Sequence, residues 1–366
     1  MATTAQTVLL PPDPSVFRVV FLYVGQGEST LLILPDAGNK SKFALVDINR
    51  GEAQCGMDVV AMLSDLLPKK DGKPVLDLFI NTHPHSDHLR GVDELRARIT
   101  VKEIWHTGFE PSDRHEATYK EFTSLIDDVR KAGGPVIEYR GTRDERSLGK
   151  TVYNVLSPAD HTKEEIDKLE GEERDRRIHD YCGVMRFGYG TQRRYVLLTG
   201  DADRRAWAEY ILGPTEYHKD RMPSEMLSAP HHGSRDFFKN GEDDKDPYTR
   251  HIEIINPVWV VISSPRQKDS PHGHPHDDAL DLYQEHVRDK IAANVHVLGE
   301  RPESLIYDVY QDGEHVLDSD DGQLVDAYPL CKGDDTEGKG EKKGQVAAPY
   351  VITSKLDKGR PMGCCE

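Results

Sequence analysis

The sequence predicts a mixed α/β fold, and three observations predict it. Short apolar runs rich in β-branched and aromatic residues recur from Phe17 to about Tyr310, punctuated by Gly, Pro and Asn as strands are. Segments whose apolar residues keep helical spacing are interleaved with them. The chain has 366 residues, 37% hydrophobic and 30% charged, so it can bury a sizeable core under a well-solvated surface.

Taken in order, residues 1–15 are apolar, Pro-rich and unpatterned, and read as an N-terminal arm. Strands follow at FRVVFLYVG, STLLILP and KFALVDI. Met57, Val60, Met62, Leu63, Leu66 and Leu67 then keep near-helical spacing up to Pro68. A buried strand, VLDLFIN, runs into a histidine cluster. Tyr119, Phe122, Ile126 and Val129 share one helical face, and Gly133-Gly134 ends that helix. Extended runs at 135–140 and 151–156 come next. Residues 163–177 carry dense charge of both signs and little apolar surface, which reads as a solvated surface helix or insertion. GVMRFGYG and RRYVLLTGD form a hairpin, followed by a helix near 204–212, a short strand at EMLSAP and a buried strand at VWVVISS. A helix from Asp277 to Ile291 carries Leu280, Tyr283, Val287 and Ile291 on one side, and NVHVLG and SLIYDVY are the last strands. One domain therefore spans 16–331. A Gly- and charge-rich linker (332–345) and a tail (346–366) ending at Cys364-Cys365 follow it. The apolar run in that tail makes it a candidate contact for a protein partner.

Composition excludes several classes. Lys plus Arg number 47 against 64 Asp plus Glu, a net charge of −17, which is a poor balance for gripping duplex nucleic acid by counterion release. Bound divalent cations can reverse that sign locally. The longest apolar run, Val16 to Val24, is broken by Arg18 and falls short of the ~20 residues of a membrane span. No basic stretch precedes an apolar one at the N-terminus, so no secretory signal is expected. The 5 cysteines are scattered and fit neither a disulfide framework nor a zinc ribbon. A cytoplasmic setting and no membrane contact are the expectation.

Histidine is the unusual residue, at 17, and several cluster in three stretches. His83-Pro84-His85-Ser86-Asp87-His88 follows a strand directly. Alternate histidines there put two imidazoles on one side, with Asp87 and His88 on the next turn facing a second ion. Three imidazoles and a carboxylate within six residues crowd unfavourably unless a metal organises them. Asp201 ends the strand YVLLTG, where Gly200 permits close backbone approach and a carboxylate can bridge two cations. His231-His232 follows a short strand. Neighbours on a strand point opposite ways, so one of the pair faces the ions. His232 is the choice for metal, leaving His231 to contact a substrate oxyanion or protonate a leaving group. His179 reads either as a ligand at a strand's start or as an exposed histidine after a basic run. His274, in SPHGHPH, lines the mouth of the site or merely forms a turn, with His272 and His276 on the rim.

These motifs resemble the metallo-β-lactamase-fold hydrolases. Val24-Gly25-Gln26-Gly27-Glu28-Ser29, Leu45-Val46-Asp47, THPHSDHLRG, LLTGD, APHHGS and the Gly-His-Pro at 273–275 narrow the resemblance to the soluble hydrolase domain of ComEC-type competence proteins. It runs in order from about Phe17 to about Tyr310. It implies an αββα sandwich, two mixed sheets flanked by helices, with metals at strand ends on one edge. By the resemblance, His83 and His85 would hold one ion, Asp87, His88 and His232 the other, and Asp201 would bridge. Asp47 would fix the first cluster by hydrogen bonds. Three departures stand out: the membrane segments of ComEC are missing, its usual Gly-Asp-Ser is Gly-Glu-Ser here, and the Asn or Asp common before the strand at 182 is replaced by His179-Asp180, where His179 would restore the third ligand of the first ion carried by other branches of the fold.

The chemistry these residues point to is hydrolysis by two divalent ions, Zn2+ by the imidazole content, with Mn2+ tolerated at the carboxylate-rich set. A metal-bound hydroxide would attack, oriented by Asp87. The resemblance implies a phosphodiester substrate, a nucleotide or nucleic acid, hence a phosphodiesterase or nuclease. Arg90, Arg235, Lys239 and Arg266 are the basic residues close to the motifs that could meet phosphate. The alternatives are a C–N or thioester hydrolase of lactamase or glyoxalase type, and a non-catalytic module that senses a ligand.

Overall fold

The computed structural model describes residues 2–51 and 56–331. Cys55, the 332–345 linker and the 346–366 tail lie outside these residues. Two sheets dominate. An eight-stranded sheet runs, edge to edge, through His315–Ser319, Leu305–Val309, Phe17–Phe21, Thr30–Pro35, Ser41–Val46, Leu78–Ile80, Ile104–His106 and Val136–Glu138. A seven-stranded sheet runs through Arg146–Leu148, Thr151–Ser157, Val184–Tyr189, Arg194–Leu198, Met226–Ser228, Trp259–Pro265 and Val295–Gly299.

Alternating side chains sort these strands into layers. Phe17, Val19 and Phe21 pack with Phe187, Met226 and Trp259 of the other sheet, so one core lies between the sheets. Val20, Leu31 and Phe79 point the other way and meet Val60 and Leu63 of the helix Val59–Leu66 and Phe122 of the helix Glu116–Lys131. On the far side, Leu197, Leu227 and Val260 pack under Trp207, Ile252 and Tyr283, from three further helical segments. The result is the helix–sheet–sheet–helix sandwich expected. Burial on both faces explains why the central strands read as continuous apolar runs rather than alternating ones.

Several elements depart from the sequence reading. The N-terminal arm contains a helix, Thr4–Leu9, capped by the Thr3 side chain and buried at Ala5 and Leu9. Arg18 is buried rather than merely interrupting an apolar run. Its guanidinium makes two 2.7 Å hydrogen bonds to Asp308 on the neighbouring strand and donates to the Val8 and Leu9 carbonyls at the end of that first helix. VLDLFIN is two strands in different sheets, Lys73–Leu76 and Leu78–Ile80, because Asp77 turns aside to accept from Phe43 N and Lys102. The helix from Asp277 ends at His286, leaving Ile291 47% exposed. Cys331 is disulfide-bonded, a pairing the scattered cysteine spacing does not signal. Among the described residues no helix is long and apolar enough to cross a membrane.

The topology also decides where chemistry can gather. Ser41–Val46, Leu78–Ile80 and Ile104–His106 are parallel neighbours in one sheet. Arg194–Leu198, Met226–Ser228 and Trp259–Pro265 are parallel neighbours in the other. Loops after the carboxyl ends of such strands are the usual binding crevice of α/β sheets.

Candidate metal centre

Those six strand ends deliver most of the singled-out residues. Asp47 follows the first, His83 to His88 the second and His115 lies beyond the third. Asp201 and Asp203, then His231 and His232, then His274 follow the strands of the other sheet. Ser86–His88 is a tight helical turn, which swings Asp87 and His88 away from the extended His83–His85 segment as expected.

Two sets of atoms converge. His83, His85 and His179 each offer a ligand atom, all within 4.8 Å of one another; so do Asp87, His88, Asp201 and His232. Asp201 stands between the sets. Its Oδ2 is 3.6 Å from His83 Nε2 and 3.8 Å from His179 Nε2, while its Oδ1 is 3.0 Å from His88 Nε2 and 3.6 Å from His232 Nε2. His179 Nε2 lies 2.9 Å from His85 Nδ1, and His232 Nε2 lies 3.3 Å from Asp87 Oδ2.

The opposite nitrogen of most of these rings meets a protein group. His88 Nδ1 faces Asp47 Oδ2 at 2.7 Å, and Asp47 also accepts from Thr82 N, Thr82 Oγ1 and Asn81 Nδ2. His232 Nδ1 donates to the Ser263 carbonyl at 2.9 Å. His83 Nδ1 lies 3.1 Å from Thr82 Oγ1, and His179 Nδ1 lies 3.3 Å from Asp203 Oδ2. Such outer contacts fix ring orientation and tautomer in metal sites.

The donor set fits divalent cations. His83 Nε2 and His232 Nε2 are buried with no hydrogen-bond partner, and His88 Nε2 and Asp201 Oδ1, though 3.0 Å apart, are not aligned to bond, an expensive state unless another group satisfies them. Burial and neighbouring histidines hold His83 and His85 well below the usual imidazole pKa, in the neutral form that binds metal. Burial opposes charge on His88, but the Asp201 and Asp47 carboxylates outweigh it and push its pKa well up. The buried carboxylates thus call for positive charge at the centre, which is what a cation supplies.

The geometry corrects three sequence expectations. His231 and His232 are not on a strand. They sit in the turn Pro230–Gly233 with φ of 51° and 55°, so both rings face inward, and His231 Nε2 comes 3.9 Å from Asp201 Oδ2. His179 is on the last turn of the helix Gly171–Asp180 rather than before a strand, and it joins the centre. The charged run 163–177 forms much of that helix and the preceding one, and is not wholly a solvated surface. His274 is buried beside the centre, its ring centroid 5.4 Å from that of His231, with Nδ1 3.4 Å from Gln26 Nε2. His272 is exposed, and the His276 ring accepts from Arg235 N.

The candidate phosphate contacts fare less well. Arg235 and Lys239 both pair with Asp278, and Arg266 pairs with Asp269. Arg90 is exposed, with Nη1 3.5 Å from Asn49 Oδ1. Three residues escaped the sequence reading: Asp203, Asp175 and His115. Asp203 stands two places after Asp201 and could have been found by that spacing, since alternate residues after a strand can share a face. Its Oδ1 lies 2.9 Å from His231 Nδ1. Burial works against ionisation of Asp203, but His231 and His179 hold its pKa down at about 2.

Gly200 does what its position suggests. Its φ is +48°, and a Cβ there would fall 2.5 Å from Cys182 Sγ and 2.7 Å from Thr82 Oγ1. Gly200→Ala is expected to destabilise by about 2–4 kcal/mol through left-handed strain and overpacking. Thermal melting of the metal-free protein checks it; an unchanged midpoint would mean the loop simply relaxes.

Residues 55–234 match the family described as Metallo-beta-lactamase superfamily. No curated protein matches the chain. Solved structures similar to it include a diphosphatase of the PhnP family, at 12% identity over 83% of this chain and 98% of that one, TM-score 0.37. Zn(2+)-bound PqqB from Methylobacterium extorquens is similar at 11% identity over 82% and 99%, TM-score 0.41. An archaeal metallo-beta-lactamase superfamily protein, ST1585 from Sulfolobus tokodaii, matches at 16% identity over 50% and 62%, TM-score 0.24. At such scores none of the three bears on the substrate of this chain.

Proposed function

The chain belongs to the metallo-beta-lactamase superfamily through residues 55–234, and on that premise we propose that it is a phosphodiester hydrolase that works with two divalent ions, Zn2+ by the ligand chemistry. The observation that carries this reading is Asp201, whose two carboxylate oxygens face two separate sets of imidazoles and carboxylates. His83, His85 and His179 would hold one ion, Asp87, His88 and His232 the other, with Asp201 between. When bound, the ions supply Lewis acidity toward the ester and an activated water.

The remaining work falls to the protein. Asp87, at the partly exposed side of its set, orients the attacking water and substrate. His231 carries a proton on Nε2 toward the site, its Nδ1–H held by Asp203 Oδ1 at 2.9 Å. That carboxylate sets the ring and stabilises the proton until the leaving oxygen takes it. His274, held near Gln26, would flank the substrate beside His231. A small phosphodiester, such as a nucleotide or a nucleic-acid end, suits a chain of charge −17 whose nearby Arg235, Lys239 and Arg266 are already paired. A long duplex would need free basic surface.

Metal analysis combined with turnover of bis-p-nitrophenyl phosphate, a chromogenic lactam and a thioester tests the proposal. About two ions per chain and selective phosphodiester turnover support it. Lactam or thioester turnover alone would replace the substrate class, and a protein binding no ion would favour a ligand-sensing module. His231→Ala is expected to slow alkyl phosphodiesters by roughly 10²–10⁴-fold, but p-nitrophenyl esters much less, because p-nitrophenolate leaves without a proton. An equal loss on both would mean that His231 serves binding instead.

A further inference from the structure

The helix Gly171–Asp180 brings two residues of one face to the centre, Asp175 and His179, one helical turn apart. His179 joins His83 and His85. Asp175 lies behind His85. The His85 ring presents Nδ1 to His179 at 2.9 Å, while its Nε2 is buried without a hydrogen-bond partner, and Asp175 Oδ1 is 3.7 Å away. Asp175 is itself buried and firmly held: Ser112 N donates to Oδ1 at 3.0 Å and Ser112 Oγ to Oδ2 at 2.5 Å. Arg174 anchors the same helix by donating to the carbonyls of Glu110, Ile166 and Leu169.

His115 completes the arrangement. Its ring stacks on His85, centroids 4.4 Å apart and planes 16° apart, and its Nε2 is 3.6 Å from Asp175 Oδ2. His85, His115 and Asp175 could be taken for another cation site. The Ser86 backbone N–H argues otherwise: it donates to His115 Nδ1 at 3.1 Å, so in the neutral ring the proton sits on Nε2, facing Asp175. A cation there would meet an N–H rather than a lone pair. The carboxylate is therefore an acceptor flanked by two imidazoles.

We infer that Asp175 is a positioning residue that holds His85 with Nδ1 turned into the first ligand set, so that one inserted helix grips that ion twice, directly through His179 and indirectly through Asp175 and His85. The inference rests on the two-ion reading above. Its physical basis is that a carboxylate facing the far nitrogen, here 3.7 Å from it, favours the proton on that nitrogen and leaves the Nδ1 lone pair for the ion. The charged segment that the sequence marks as surface thereby becomes the element that retains one ion and not the other.

The test compares wild type with Asp175→Asn, Ser112→Ala and Arg176→Ala, the last an exposed residue of the same helix. Zinc affinities come from competition with a chromogenic chelator, and Co(II) absorption spectra report each site. Melting of the metal-free proteins controls for folding. The expected result is two ions on wild type and one of them weakened about 10–100-fold in Asp175→Asn, the other unchanged. Ser112→Ala should weaken the same ion by less, and Arg176→Ala neither. Unchanged affinities in Asp175→Asn, or equal weakening of both ions, would overturn this inference while leaving the two-ion reading intact. A wild-type protein that binds no ion would overturn both.

Discussion

Replacing Asp201 by Asn is expected to release both ions, and to cost more metal affinity than any single histidine change. The aspartate presents Oδ2 toward His83 and His179 and Oδ1 toward His88 and His232. An amide keeps one acceptor oxygen, so one set must face an NH₂ group, and the charge shared by both ions disappears. The loss should exceed the roughly 10–100-fold typical of an outer partner. Plasma emission spectroscopy on dialysed protein measures it. Full occupancy would show Asp201 to be only a turn residue at its strand's end.

Asp87→Ala should abolish phosphodiesterase turnover, by at least the order of 10²–10³ that loss of one well-placed stabilising group costs in an active site, while leaving the fold intact. The fold should survive because the Asp87 side chain is partly exposed. Its turn is also held by backbone bonds, His88 N to His85 O and Arg90 N to Ser86 O. Desolvation among the packed ligand loops disfavours the Asp87 carboxylate, but His232, whose Nε2 lies 3.3 Å from Asp87 Oδ2, and the nearby His88 hold its pKa well below the usual range, so it is charged at neutral pH. Circular dichroism and turnover belong in the same experiment; activity within threefold of wild type would remove Asp87 from the mechanism.

Local pattern made much of this protein legible. Strand runs such as FRVVFLYVG and VWVVISS declare themselves because strands buried on both faces must be continuously apolar. HPHSDH declares itself because imidazoles and carboxylates packed that densely at a strand end are costly without a cation, whereas TGD is weak alone and reads as a ligand only beside it. The grouping of His88 and Asp201 with His232 was legible from their motifs, whereas Asp47 was placed behind them only by the resemblance.

Contacts between distant segments left no such trace. Arg18 and Asp308 are 290 residues apart and each reads as an ordinary charge, yet the strand register makes them a buried pair. His231 and His232 face the same way because a positive-φ turn replaces the strand that their neighbours suggested. The run from 163 to 180 reads as surface because most of its side chains are charged, and most are solvated. Asp175 and His179, one turn apart, point inward instead. The sequence by itself determined the layers, the strand ends and the ligand-rich loops, because those depend on periodicity and local chemistry. Only the tertiary structure decided which helix closes the first ligand set and which carboxylates, Asp203 and Asp175, stand behind its histidines, because those pairings depend on where a chain folded in three dimensions returns to itself.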